Sequence, residues 1–98
     1  MDYSKIIIYK PDADSYYNRG NSKFSLEDFN GAKNDYESAL KLDPQFIDAL
    51  YNLACTKYFL EDYVSSIVDL SNIIDAVPTA SKAYTQRAHA LLALKNYK

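Results

Sequence analysis

Apolar positions recur along this chain at helical spacing, and each stretch is closed by a short polar turn or a proline. Phe29, Ala32, Tyr36, Ala39 and Leu40 fall on one face of a helix predicted over Phe29 to Leu42. Asp43-Pro44 ends it, because the residue before a proline is pushed out of the helical region. Upstream, Asp12 to Leu26 predicts an antiparallel partner, with Asp12 or Asp14 able to cap its exposed N–H groups. Glu27-Asp28 forms the tight turn between them. The pattern then returns as a helix from Ile47 to Leu60, a turn at Glu61-Asp62, a helix from Tyr63 to Ala76 and a stop at Pro78. Thr79 or Ser81 caps a further helix running to about Leu94; Lys95-Asn96 stands where the earlier turns stood, and Tyr97 matches Phe29 and Tyr63. At the other end, Met1 to Tyr9 predicts the end of a helix, with Tyr3, Ile6 and Ile7 at helical spacing and Pro11 as its stop. The β-branched run Ile6-Ile7-Ile8 alone would also suit a strand. Register favours the helix, since Tyr3, Ile6 and Pro11 are spaced as Tyr36, Ala39 and Pro44 are.

These stretches are one unit repeated. Tyr16, Gly20, Ala32, Tyr36, Ala39 and Pro44 return at a constant offset as Leu50, Ala54, Ser66, Leu70, Ile73 and Pro78, and the next return begins with Tyr84 and Ala88. A fixed period of about 34 residues marks a stacked repeat architecture. Gly20 lies inside a helix, where glycine costs about 1 kcal/mol against alanine. Its presence predicts close approach of a neighbouring helix, as Ala54 and Ala88 keep the same register position small. No helix pair here is long enough to be stable alone, so the apolar stripes must be hidden by stacking into a quasi-one-dimensional solenoid. The expected organisation is a single domain: residues 1–12 close a preceding unit, 13–46 and 47–80 are full units, and 81–98 hold the first helix of another.

The unit from Ala13 to Phe46 resembles a tetratricopeptide repeat through Tyr16, Gly20, Ala32, Tyr36, Ala39 and Pro44, and Ile47 to Ala80 resembles a second. Arg19 departs from the family pattern, standing where leucine is usual. In the second unit Ser66 and Ile73 replace alanines, while Leu53, Ala54 and Tyr63 support the match. The resemblance implies an all-α solenoid of antiparallel helix pairs wound into a right-handed superhelix, with the first helix of each pair lining the concave side. The implied lining is Asp14, Tyr17, Asn18, Asn21, Phe24 and Ser25, then Asp48, Tyr51, Asn52, Cys55, Tyr58 and Phe59, then Lys82, Thr85, Gln86, His89 and Leu92. Of these, Tyr17, Asn21, Phe24, Tyr51, Asn52, Cys55, Tyr58, Phe59, Lys82, Gln86 and His89 form the expected partner-binding set. Rings give large contact area and amides pair with a peptide backbone, so such a groove suits an extended peptide or a short helix of a protein partner. Some of the rings would instead pack between adjacent helices.

One subclass of the family grips the C-terminal carboxylates of heat-shock chaperones with Lys and Asn, then Asn, then Lys and Arg. Asn21, Asn52 and Lys82 match three of those positions, but Tyr17 stands in place of the first lysine and Gln86 in place of the arginine. Two of three cations are missing, and a carboxylate pair needs them to offset desolvation. Asn21 and Asn52 therefore read as groove amides first, and a degenerate clamp second. Asn21, Cys55 and His89 occupy the same register in successive units and form a ladder whose residue types suggest a cysteine-protease triad. Catalysis needs the histidine between nucleophile and orienting group, and here the cysteine is in the middle. With neighbouring helix axes about 8–10 Å apart, the outer two would be roughly twice that distance from each other. No enzyme is expected, no cofactor is implied, and one Cys with one His is too few for a structural zinc.

Composition adds boundaries. Over 98 residues, 48% apolar and 24% charged content is that of a globular protein, and a net charge of −2 argues against a nucleic-acid surface. No apolar run nears the roughly 20 residues that span a membrane, and no signal peptide is expected. Cys55 is single, so no internal disulfide forms and the cytoplasm is the default compartment. Glu27, Asp28, Lys33, Glu37, Lys41, Glu61 and Asp62 read as a solvated surface. The chain opens on a partner helix and closes on a first helix whose Ala83, Tyr84, Ala88, Leu91 and Leu92 lack a cover. Self-association through these ends, or continuation into a longer array, is therefore expected.

Overall fold

The structure, a computed structural model, describes residues 12–97. The helix expected over Met1 to Tyr9 lies outside the described residues. Five helices follow in order: α1 (Ala13–Ser25), α2 (Phe29–Leu42), α3 (Ile47–Phe59), α4 (Tyr63–Ala76) and α5 (Ser81–Tyr97), with no strand among the described residues. They stack as α1 against α2, α2 against α3, α3 against α4 and α4 against α5, in a body 53 Å long and 17 Å in its thinnest direction. This is the all-α solenoid of antiparallel pairs that the sequence predicts.

The turns within each pair explain why α1 and α3 stop where they do. Glu27 and Glu61 take left-handed backbone angles, with φ of 62° and 65°. Around each, the chain folds back on the helix end: Glu27 N–H reaches the Phe24 carbonyl at 2.9 Å and Asp28 N–H the Lys23 carbonyl at 2.8 Å. Glu61 and Asp62 repeat this with the Tyr58 and Lys57 carbonyls, at 3.0 and 2.8 Å. These are paired helix-terminating bonds, which satisfy carbonyls that the helix leaves open. The same aspartates then start the next helix, since the Asp28 side chain accepts from Gly31 N–H at 3.0 Å and Asp62 from Ser65 N–H at 3.4 Å. Asp12 caps α1 by accepting from Ser15 N–H at 2.8 Å.

Two expectations are corrected at α5. Its cap position falls on Ala80, not on Thr79 or Ser81, because the helix begins at Ser81. The turn expected at Lys95-Asn96 does not form, and α5 runs unbroken to Tyr97. In the earlier turns a carboxylate caps the amides of the helix that follows, which offsets the helical bonds the turn breaks.

Two core clusters share Leu50. Ala32, Tyr36 and Leu53 centre the first, with Tyr17, Phe24 and Leu40 packed around them; Ala54, Leu70, Ile73 and Ala83 centre the second. A Cβ on Gly20 would lie 2.8 Å from Tyr36 Cε1 and 2.9 Å from its Cδ1, so the tyrosine ring accounts for the glycine. Ala54, at the same register, packs in the cluster of the smaller Leu70. Ala88, one unit further, is exposed. So are Tyr84 (44%), Leu91 (50%) and Leu92 (58%), which leaves one side of α5 uncovered among the described residues.

Charged residues inside the stack are the part that apolar periodicity misses. Asp35, on α2, is 3% exposed and takes a two-pronged contact from Arg19, Nε to Oδ2 at 3.0 Å and Nη2 to Oδ1 at 2.8 Å. Lys23 Nζ adds a third contact to Asp35 at 3.2 Å. One unit on, Lys57 Nζ meets Asp69 Oδ2 at 2.7 Å, with both side chains close to nine-tenths covered. Lys57 and Asp69 hold the register positions of Lys23 and Asp35 in the next unit, so the ion pair is itself a repeated feature. Arg19, at a position where the family prefers leucine, is the partner that the first unit adds to the repeated lysine–aspartate pair.

Candidate functional site

Two recesses lie side by side, one lined from α1, α2 and α3 and the other from α1, α3, α4 and α5. One, of about 330 Å³, is lined by Asn21, Phe24, Ser25, Tyr36, Asn52 and Cys55. The other, of about 450 Å³, is walled by Tyr17, Asp48, Tyr51, Asn52 and Lys82, with Ile47, Ile73, Ala80, Ser81 and Ala83 behind them. Asn52 belongs to both and divides them.

A chain of hydrogen bonds joins their floors. Tyr36 Oη donates to Asn21 Oδ1 at 2.5 Å, and Asn52 Nδ2 donates to the same oxygen at 2.9 Å. Asn52 Nδ2 also faces Tyr17 Oη at 3.4 Å. Tyr17 is held from behind by rings, with its centroid 4.8 Å from Phe46 and 6.0 Å from Tyr36. Burial pushes the phenols of Tyr36 and Tyr51 up to about 12, so both stay neutral donors at any physiological pH. Burial also raises the Cys55 thiol, with the nearby Tyr51 hydroxyl opposing it, which works against a thiolate. His89 is exposed on α5 and stands apart from the recess that holds Asn21 and Cys55.

Of the sequence-predicted set, the recesses gather Tyr17, Asn21, Phe24, Tyr51, Asn52, Cys55 and Lys82. Tyr58, Phe59, Gln86 and His89 are in neither lining. Phe59 instead stacks on Phe29, with centroids 5.2 Å apart and planes 7° from parallel, and meets Phe24 edge-on at 5.6 Å. Tyr58 meets Tyr63 edge-on at 5.5 Å. These rings pack around the helix-to-helix turns rather than across the recesses. Tyr36 was legible only as a repeat marker, yet its hydroxyl fixes the orientation of Asn21. Its place on a second helix hid it, because the groove was expected from first helices alone.

A stack of antiparallel helix pairs that share two core clusters defines a helical-repeat domain. The family model described as "Tetratricopeptide repeat" matches residues 13–46. Among solved structures, one titled a complex of the TPR2B domain of yeast Sti1 with pHsp70 superposes with a TM-score of 0.75 at 26% identity, covering 96% of this chain and 78% of that one. Residues 13–46 are thus a tetratricopeptide repeat, and the described chain has the fold of a tetratricopeptide-repeat domain. Curated relatives include Sperm-associated antigen 1 of Rattus norvegicus, 29% identical over 96 residues, covering 98% of this chain and 11% of the relative. Protein unc-45 homolog B of Homo sapiens is 39% identical over 75 residues (74% and 8%), and Protein STIP1 homolog of Dictyostelium discoideum 28% identical over 85 residues (87% and 15%). The chain thus spans only a small part of the length of the curated relatives it matches.

Proposed function

We propose that this chain is a protein-interaction module that holds a peptide segment of a partner protein across the recesses of α1, α3 and α5. The observation that carries this reading is the convergence of Tyr17, Tyr51, Asn21 and Asn52, from two successive repeats, on two adjoining open recesses. Rings there supply contact area at low entropic cost and amides supply main-chain partners. The test is fluorescence anisotropy of labelled random-sequence peptides. Tyr51→Ala should weaken binding about tenfold or more, the factor that ~1.4 kcal/mol gives. Val68→Ser, at an exposed position outside both linings, should leave it unchanged. Equal loss in both variants would sink the groove reading.

Two further readings have a specific observation each. Asn21, Asn52 and Lys82 match part of the carboxylate clamp, and one structural neighbour is a complex of Sti1 with pHsp70, which favours chaperone tails as the ligand. The uncovered side of α5, with Tyr84, Leu91 and Leu92, favours self-association. Sedimentation across a wide concentration range, with Leu91→Glu as the disrupting variant, separates that last reading from a monomeric peptide binder.

A further inference from the structure

We propose that the outer face of α4 is a self-assembly surface, which takes the uncovered, basic face of α5 from a second copy of this chain. This rests on the self-association reading of α5 given above and names the surface that α5 meets. The two repeats differ on their outer faces in a way the fold does not require. Val64 and Val68 on α4 are 60% and 52% exposed and belong to neither core cluster. Asn30 and Asn34 hold the same register positions on α2 and are also exposed, so the packing accommodates polar side chains there. The charges change as well. Lys33 and Lys41 of α2 give way to Ile67 and Asp75, which leaves α4 with no lysine or arginine. Val64, Val68, Ser71 and Asp75 are spaced to form one row along a helix.

Helix α5 is the complement of this row. Its charged side chains are Lys82, Arg87 and Lys95, with no carboxylate, although the chain as a whole carries a net charge of −2. Arg19 meets the Asp35 carboxylate, but Arg87, at the same register, meets the Ser71 hydroxyl at 3.2 Å. The uncovered row is Tyr84, Ala88, Leu91 and Lys95. Its steps are those of Val64, Val68, Ser71 and Asp75. With the helices side by side and running in the same direction, Tyr84 comes opposite Val64, Ala88 opposite Val68 and Lys95 opposite Asp75. The small Ala88 lets the two axes approach closely. Two α5 helices facing each other would instead join like charges with no carboxylate between them. The rows of α4 and α5 are different surfaces, so the contact is heterologous and need not close.

Sedimentation velocity over a wide concentration range reads the assembly, with circular dichroism as the check on helicity. Wild type should form species larger than a monomer as concentration rises, and added salt should reduce them. Val64→Asn/Val68→Asn gives α4 the residues that α2 already carries, so it should stay helical and weaken assembly about tenfold or more. Leu91→Glu should weaken it as much. Asp75→Lys and Lys95→Asp should each weaken assembly alone and restore it when mixed, because every contact between the two variants again pairs opposite charges. A wild-type chain that remains a monomer at every concentration overturns this inference and the self-association reading together. If Leu91→Glu dissociates the assembly and the double asparagine variant does not, α5 still self-associates, through another face, and the role of α4 is overturned. A mixture of Asp75→Lys and Lys95→Asp no more assembled than either alone overturns the pairing of Lys95 with Asp75.

Discussion

Lys57 and Lys23 hold the same register position, yet removing them should have very different costs. Lys57 and Asp69 lie 2.7 Å apart with side chains 11% and 13% exposed. At an effective dielectric constant near 20 their attraction is about 6 kcal/mol. Desolvation of several kcal/mol per ion offsets most of it. The intact pair is therefore close to neutral, whereas Lys57→Met leaves Asp69 covered and unpaired, which costs about 3–5 kcal/mol. That is a large part of the roughly 5–15 kcal/mol that holds a typical domain folded. Lys23 is 33% exposed, and Asp35 keeps both contacts from Arg19 when it is gone. Lys23→Met should accordingly cost about 1 kcal/mol or less. The double variant Lys57→Met/Asp69→Leu removes both charges and should recover most of the lost stability. Urea unfolding followed by circular dichroism measures wild type and all three variants. Equal losses for the two lysine variants, or a double variant no more stable than Lys57→Met alone, would refute the argument.

Gly20→Ala should destabilise despite better helix propensity: the gain of about 1 kcal/mol meets an overpacking cost of about 1–3 kcal/mol against a buried ring, and a thermal melt shows the sign. Glu27→Gly should stabilise by up to about 1 kcal/mol in the same melt, because the left-handed backbone there carries no penalty in glycine. Burial pushes Asp35 up, but the hydrogen bonds and charges of Arg19 and Lys23 outweigh it and leave its carboxyl below the usual range. Its folded value is depressed, so its contribution is complete above the unfolded value near pH 4 and is lost as pH falls through the folded one. Acid titration of unfolding should show that loss in wild type and a smaller one in Asp35→Asn.

How much was legible in the sequence follows from how local each signal is. The limits of α2 and α4 could be read because Asp28, Asp62 and the residues before Pro44 and Pro78 act within a few positions of themselves. The end of α5 could not, since Lys95-Asn96 shares only its register, not its residue types, with Glu27-Asp28 and Glu61-Asp62, and the helix runs through it. The ion pairs were missed because a hydrophobic stripe counts charges as surface. Their one visible trace was the echo of Lys23 in Lys57 and of Asp35 in Asp69 at the repeat period. At the recesses, residue types were legible and orientation was not. The Asn52 side chain is held by Asn21 and Tyr17, which lie 31 and 35 positions away in the chain.

The trade of Gly20 with Tyr36 against Ala54 with Leu70 constrains how the two repeats can diverge. Each pair is a volume-matched solution at the same address, and each half of one is incompatible with the other. A methyl on Gly20 collides with the tyrosine, and a leucine in place of Tyr36 leaves a void beside the glycine and strips Asn21 of a donor. A lineage moving from one solution to the other must cross a less stable intermediate, whichever residue changes first. Repeats that began as copies would then stay locked in separate packings, and recombination between them would be tolerated only where both members of a pair travel together.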